Sequence, residues 1–135
     1  MVADVLHTGH VAAIEEAKGK CDKLIVALHC CPPDKSPVQS VFERYMQLRA
    51  VRWVDEIIPY EDPNDLDEML RCLDFDVYFL GEDYIGRRWD GAAVLSTYGK
   101  EVEFLKRQHK YSSTELKERI RGKDDGTVRT QRTTE

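Results

Sequence analysis

The stretch VAAIEEAKGKCDKLIVALH, residues 11–29, decides the fold because its hydrophobic period changes part-way along. Its first half puts Val11, Ile14 and Ala17 or Lys18 at helical spacing and then meets Gly19, a residue that commonly closes a helix. Its second half, KLIVALH at 23–29, is an unbroken apolar run. A strand with one wet face alternates apolar and polar residues, whereas an unbroken run is expected where both faces are covered, as in a parallel sheet. A helix leading directly into such a strand is the repeating unit of a sheet wrapped by helices.

The alternation continues downstream. VFERYMQLRAVRWV (41–54) sets Val41, Tyr45, Leu48 and Val51 along one helical face, and DEIIP (55–59) forms a short strand that Pro59 is expected to stop. NDLDEMLRCL (64–73) offers Asn64 or Asp65 as a cap and Leu66, Met69, Leu70 and Leu73 as an inner stripe, before the strand FDVYFLG (75–81). EDYIGRRWDG (82–91) reads as a polar loop, AAVLSTYG (92–99) as a short helix and EVEFL (101–105) as a strand. In SSTELKERI (112–120), Ser112 and Glu115 make the S-x-x-E box of a helix start. From Arg121 onward a single aliphatic residue, Val128, remains, so 121–135 is expected to be a mobile polar tail behind one domain at 1–120. The expected architecture is α/β: a parallel sheet with flanking helices, right-handed crossovers and a ligand crevice at the carboxyl ends of the strands.

Composition narrows the function classes. With 135 residues, 41% hydrophobic and 33% charged, the chain has the mixture of a soluble globular domain. Its net charge of −5 supplies no general attraction for nucleic acid or an anionic membrane, so local basic residues must carry any anion chemistry. No run approaches the roughly 18 apolar residues of a membrane span, and MVADVLHTGH lacks the regions of a signal peptide. A cytoplasmic protein is expected, with neither nucleic acid nor membrane as partner. Cys21, Cys30, Cys31 and Cys72 fit a reducing compartment, and none is spaced C-x-x-C. Neighbours in the HCC run at 29–31 would point to opposite faces of a strand, so no metal centre of protein ligands is expected.

HTGH, at 7–10, sits where the first strand-to-helix turn of such a sheet would lie. A helix N-terminus presents free N–H groups and the positive end of a dipole, which suits phosphate, and Gly9 lets phosphate approach the backbone. Two imidazoles on that turn can hydrogen-bond an oxygen whose charge grows during phosphoryl transfer. A capped helix start with two solvated histidines is the alternative.

Several segments in order extend the pattern: DVLHTGH, ERYMQLRAVRWVDEIIP, GEDY and RQHKYSSTEL. On these, from residue 3 to about 120, the chain resembles the cytidylyltransferase-like nucleotidyltransferases, especially glycerol-3-phosphate and ethanolamine-phosphate cytidylyltransferases. Their corresponding segments are D-L-x-H-x-G-H, an E-R helix followed by V-D-E-V-I-P, G-D-D-W or G-x-D-Y, and R-T-x-G-I-S-T-T. The resemblance implies a Rossmann-like fold, commonly dimeric, and transfer of CMP from CTP to a small alcohol phosphate such as glycerol-3-phosphate. Pyrophosphate would be released, and Mg2+ would accompany the triphosphate.

Matched position by position, the resemblance assigns His7, His10, Lys35 and Arg107 to catalysis. It assigns Asp4, Gly9, Arg44, Gly81, Asp83, Ser112, Ser113 and Thr114 to nucleotide binding. For Lys35 the alternative is a solvated loop lysine, for Arg44 a surface ion pair near Glu43 and Arg49, and for Asp83 an exposed loop acid. For the hydroxyl run, capping and phosphate binding are compatible.

Departures keep other readings open. Lys110 and Tyr111 stand where cytidylyltransferases carry Gly-Ile, and SSTELK and GEDY are also similar to segments of adenylyltransferases, so ATP stands beside CTP. A non-catalytic nucleotide-binding relic of the fold is a third reading. Only MVA precedes Asp4 where the family carries an apolar strand, so the sheet is expected to lack its usual first strand. Another segment or chain could complete it, or the protein could be weakly stable; a start further upstream is the favoured explanation, because the rest of the constellation is intact.

Overall fold

The computed structural model describes residues 1–106 and 112–124. Helices and strands alternate: α1 (Thr8–Lys18), β1 (Ile25–His29), α2 (Val41–Arg49), β2 (Glu56–Tyr60), α3 (Pro63–Cys72), β3 (Val77–Gly81), a 3-10 turn (Glu82–Tyr84), α4 (Ala92–Thr97), β4 (Glu101–Leu105) and α5 (Ser113–Asp124). The strands are parallel, as the apolar runs predict, but among the described residues they form two pairs, β1 with β2 and β3 with β4, rather than one continuous sheet. On the other edge of β1, Met1 fills one residue's length of ladder: its amine donates to the Ala27 carbonyl at 2.8 Å and its carbonyl accepts from the His29 amide at 2.9 Å.

The helices cover the pairs unequally. Ile14 and Ala17 of α1 and Leu48 of α2 pack with Leu24, Val26, Leu28 and Leu105 in the larger core. Leu66 and Leu70 of α3 and Val94 and Leu95 of α4 make a second core against Tyr60, Tyr78 and Val102. The face of β1 turned away from α1 and α2 is therefore covered only in part. Val26 and Leu28 are buried while Ile25, Ala27 and His29 are half-buried, an alternation where burial on both faces was expected.

Several boundaries differ from the sequence expectation; α2, for one, ends at Arg49, short of the Val51 that its helical face was expected to include. α1 begins at Thr8, inside HTGH, because the histidines cap it. Pro59 lies within β2 and does not stop it. Cys30 donates its amide to Tyr60, so Glu56, Ile58 and Tyr60 face β1 and the nitrogen of Pro59 points to the outer edge, where no donor is needed. The cap of α3 is Asp62, two residues before Asn64 and three before Asp65, with Pro63 at the first helical position, because the Asp62 carboxylate accepts from the Asp65 amide at 2.9 Å. α5 continues to Asp124, four residues into the stretch expected as tail. Arg107 and residues 125–135 lie outside the described residues.

Candidate active site

The turn that carries HTGH is built from strained backbone held by distant side chains. Ala3 and Val5, on either side of Asp4, have φ of 56° and 49°. That is an outlying conformation for a β-branched residue such as Val5. What holds it is tertiary: the Val5 amide donates to Gln39 Oε1 at 2.7 Å and the Leu6 amide to Gln47 Oε1 at 3.4 Å. Asp4, 6% exposed, accepts from the amides of Val38 (2.9 Å) and Gln39 (3.0 Å) and from Lys117 Nζ (2.7 Å). Burial would raise its carboxyl, but the Lys117 hydrogen bond and the two amides outweigh it and hold the carboxyl below its ordinary value.

The two histidines then cap α1 reciprocally. His7 Nδ1 accepts from the Gly9 amide at 3.0 Å, and His10 Nδ1 accepts from the His7 amide at 3.3 Å. A ring nitrogen that accepts carries no proton, so in neutral imidazoles both protons sit on Nε2. The rings lie 3.9 Å apart, tilted by 32°. Burial lowers the His7 pKa, and burial followed by the neighbouring His7, the N-terminal amine and Lys35 pushes His10 down to about 4. At neutral pH the turn therefore offers two uncharged N–H donors at a helix N-terminus.

A second helix start is tied to the first. Ser113 Oγ donates to the Asp4 carbonyl at 2.7 Å, and Ser112 Oγ caps α5 by accepting from the Glu115 amide at 3.0 Å, as the S-x-x-E spacing predicts. Ser112, Ser113 and Thr114 are thus brought beside the HTGH turn. Lys35 is exposed in the loop after β1 and close enough to His10 to act on its charge. Gly81 ends β3 close to Asp83: a Cβ on Gly81 would fall 2.6 Å from Asp83 Oδ1, so any other residue there would push that carboxylate aside.

Arg44 does something the sequence did not suggest. It is 2% exposed, so the surface ion pair weighed for it does not form. Its guanidinium donates to the carbonyls of Gln39 (3.3 Å), Val2 (3.0 Å), His29 (2.8 Å) and Cys30 (2.8 Å), which engages four of its five N–H groups. It pins α2 to the end of β1 and to the strained N-terminal segment. Gln39, Gln47 and Lys117 were also not singled out from sequence. Only Lys117 had a signal there, as the last position of the SSTELK run.

The match to known proteins follows this geometry. The family model described as cytidylyltransferase-like matches residues 2–119. The chain belongs to the cytidylyltransferase-like family. It is 31% identical to the glycerol-3-phosphate cytidylyltransferase of Staphylococcus aureus over 125 residues, covering 90% of this chain and 91% of that protein. The glycerol-3-phosphate cytidylyltransferase of Bacillus subtilis is likewise 31% identical, over 123 residues, covering 88% and 92%. The bifunctional protein HldE of Pseudomonas fluorescens is 32% identical over 90% of this chain, which spans only 27% of that protein. Among solved structures, the lipopolysaccharide core biosynthesis protein of Thermoplasma volcanium superposes with a TM-score of 0.64 at 23% identity, over 80% of this chain and 91% of that one. The cytidylyltransferase-like family comprises nucleotidyltransferase enzymes that act on a nucleoside triphosphate. Among the described residues no helix is long and apolar enough to cross a membrane.

Proposed function

We propose that this cytidylyltransferase-like protein transfers CMP from CTP to a small alcohol phosphate such as glycerol-3-phosphate, releasing pyrophosphate. The observation that carries the reading is the reciprocal capping of His7 and His10, which dedicates both Nδ1 atoms to the backbone and keeps both Nε2–H groups for a ligand. An oxygen of the acceptor's phosphate attacks the α-phosphorus of the triphosphate, the bond to the bridging oxygen breaks, and pyrophosphate leaves with the electron pair. The acceptor is its own nucleophile, so the protein's work is positioning and charge stabilisation. His7 and His10 donate to oxygens of the reacting phosphorus, the N-terminus of α5 and the Ser112–Thr114 hydroxyls hold the remaining phosphates, and Lys35 and Arg107 neutralise charge.

Magnesium belongs to the same proposal. Among the described residues no three His, Cys, Asp or Glu side chains cluster, and Asp4 already receives three hydrogen bonds. That donor set suits an ion brought in on phosphate oxygens, where it would neutralise charge on the triphosphate. The hydroxyl run ending on Lys117 favours ATP as a second reading.

Incubation with CTP or ATP, magnesium and a panel of phosphomonoesters, followed by pyrophosphate assay, tests the reading; CTP with a polyol phosphate is expected to give the fastest release. Release with ATP alone would move the assignment to adenylyl transfer. Nucleotide binding without release from any pair would make the protein a binding relic. A homodimer is proposed with the activity, and light scattering should give twice the chain mass.

A further inference from the structure

We infer that His29 is a specificity-determining residue, its imidazole Nε2 hydrogen-bonding a hydroxyl group on the alcohol portion of the acceptor. The inference rests on the proposed transfer reaction and adds to it the side chain that reads the acceptor. Four observations converge on His29.

First, it is the last residue of β1, at a strand carboxyl end, where ligand contacts gather in this architecture. Second, its Nε2 is sealed from solvent and has no hydrogen-bond partner among the described residues, so an acceptor hydroxyl reaches it only by parting the packing over the ring. Buried polar atoms in native structures are nearly always paired, so such an atom calls for a ligand or a role. Third, the residue is clamped in place. Its amide donates to the Met1 carbonyl, its carbonyl accepts from Arg44, and its ring stacks on Tyr60 at 4.6 Å with planes 23° apart.

Fourth, its surroundings suit a polyol. Burial keeps the imidazole uncharged, and the N-terminal amine, the carboxylates of Asp90 and Asp34 and the Arg44 guanidinium are all near enough to act on it. An uncharged ring nitrogen beside carboxylates can exchange hydrogen bonds with vicinal hydroxyls, whereas a bare alkyl chain would leave it unpaired. The helix starts at Thr8 and Ser113 take the triphosphate in this scheme. The end of β1 and the Lys35 loop that follows it remain for the acceptor.

The test is steady-state kinetics with three proteins and two acceptors. His29→Phe keeps the ring and its stack on Tyr60 but removes the nitrogen, and His29→Gln restores a polar atom near the Nε2 position. With glycerol phosphate, His29→Phe is expected to raise the acceptor KM by about tenfold or more, with kcat and the triphosphate KM within about twofold of the parent and partial recovery in His29→Gln. With propyl phosphate, which lacks the hydroxyls, parent and His29→Phe should have the same KM. His29→Phe should melt no lower than the parent, since it buries no unpaired nitrogen.

Equal losses on both acceptors, or a shift confined to the triphosphate KM, would overturn the assignment. So would a lower melting temperature with acceptor preference unchanged, which would give the ring a packing role. If no nucleotide and acceptor pair turns over, the transfer reading has failed and calorimetric titration of glycerol phosphate decides His29 separately. Tighter binding to the parent than to His29→Phe supports it, and equal binding sinks it.

Discussion

His7 and His10 each commit one ring nitrogen, Nδ1, to capping α1, and Nε2 takes no part in the cap. Replacing either with alanine removes a weak cap and a donor at developing charge. The cap is worth about 1 kcal/mol and the donor about 3–4 kcal/mol, so the fold should survive while turnover drops a hundredfold or more. Near-normal pyrophosphate release from both variants would reject the transition-state role. His10 also makes stability depend on pH. Its folded pKa, about 4, lies below the ordinary 6.5. Between those values the unfolded chain binds a proton that the folded one refuses, so stability is full above pH 6.5 and is lost as pH falls toward 4. Urea titrations at pH 7 and pH 4.5 should differ, with a contribution from His10 on the order of 2 kcal/mol that His10→Asn removes. A parent and variant that lose equal stability would place the acid sensitivity elsewhere.

α5 reaches the HTGH turn through Lys117, whose ion pair with Asp4 is 2.7 Å long with the carboxylate side chain 8% exposed. Lys117→Met leaves that carboxylate buried with only two amide donors, an imbalance worth about 1–3 kcal/mol. The expected results are a lower melting temperature and faster amide exchange along α5, with Lys117→Arg close to the parent. Unchanged exchange in Lys117→Met would mean that Ser113 alone anchors the helix. At the start of α4, Gly91 has φ of +89°, and a Cβ there would fall 2.7 Å from Leu70 Cδ1 in the second core. Gly91→Ala combines a left-handed backbone with an overpacked core, and should destabilise by about 2–3 kcal/mol in a denaturant melt.

The two strand pairs could unfold separately, yet β3 ties them together, because Phe79 packs on the larger core while its neighbour Tyr78 packs on the second. Leu48 is 0% exposed in the first core and Leu95 1% in the second. Each truncated to alanine should cost about 2–5 kcal/mol. Because the cores share a strand, both variants should lower one cooperative transition, seen alike by far-ultraviolet circular dichroism and tryptophan fluorescence. Two separated transitions in either variant would show that the gap between the pairs divides the molecule energetically.

Local pattern was sufficient for the order of elements, the parallel strands, the Ser112 cap and the HTGH turn with its family. Helical period, strand runs and caps are carried by residues a few positions apart, and their physics is visible along the chain. The turn's supports were not visible there. Asp4 meets Val38 at a separation of 34 residues and Lys117 at 113, and Arg44 reaches back 42 residues to Val2. No periodicity announces such pairings, because they arise only when elements pack and buried polar groups must find partners. The same holds for the half-covered face of β1: an apolar run records what a strand can bury, while the helices that pack beside it decide how much is buried.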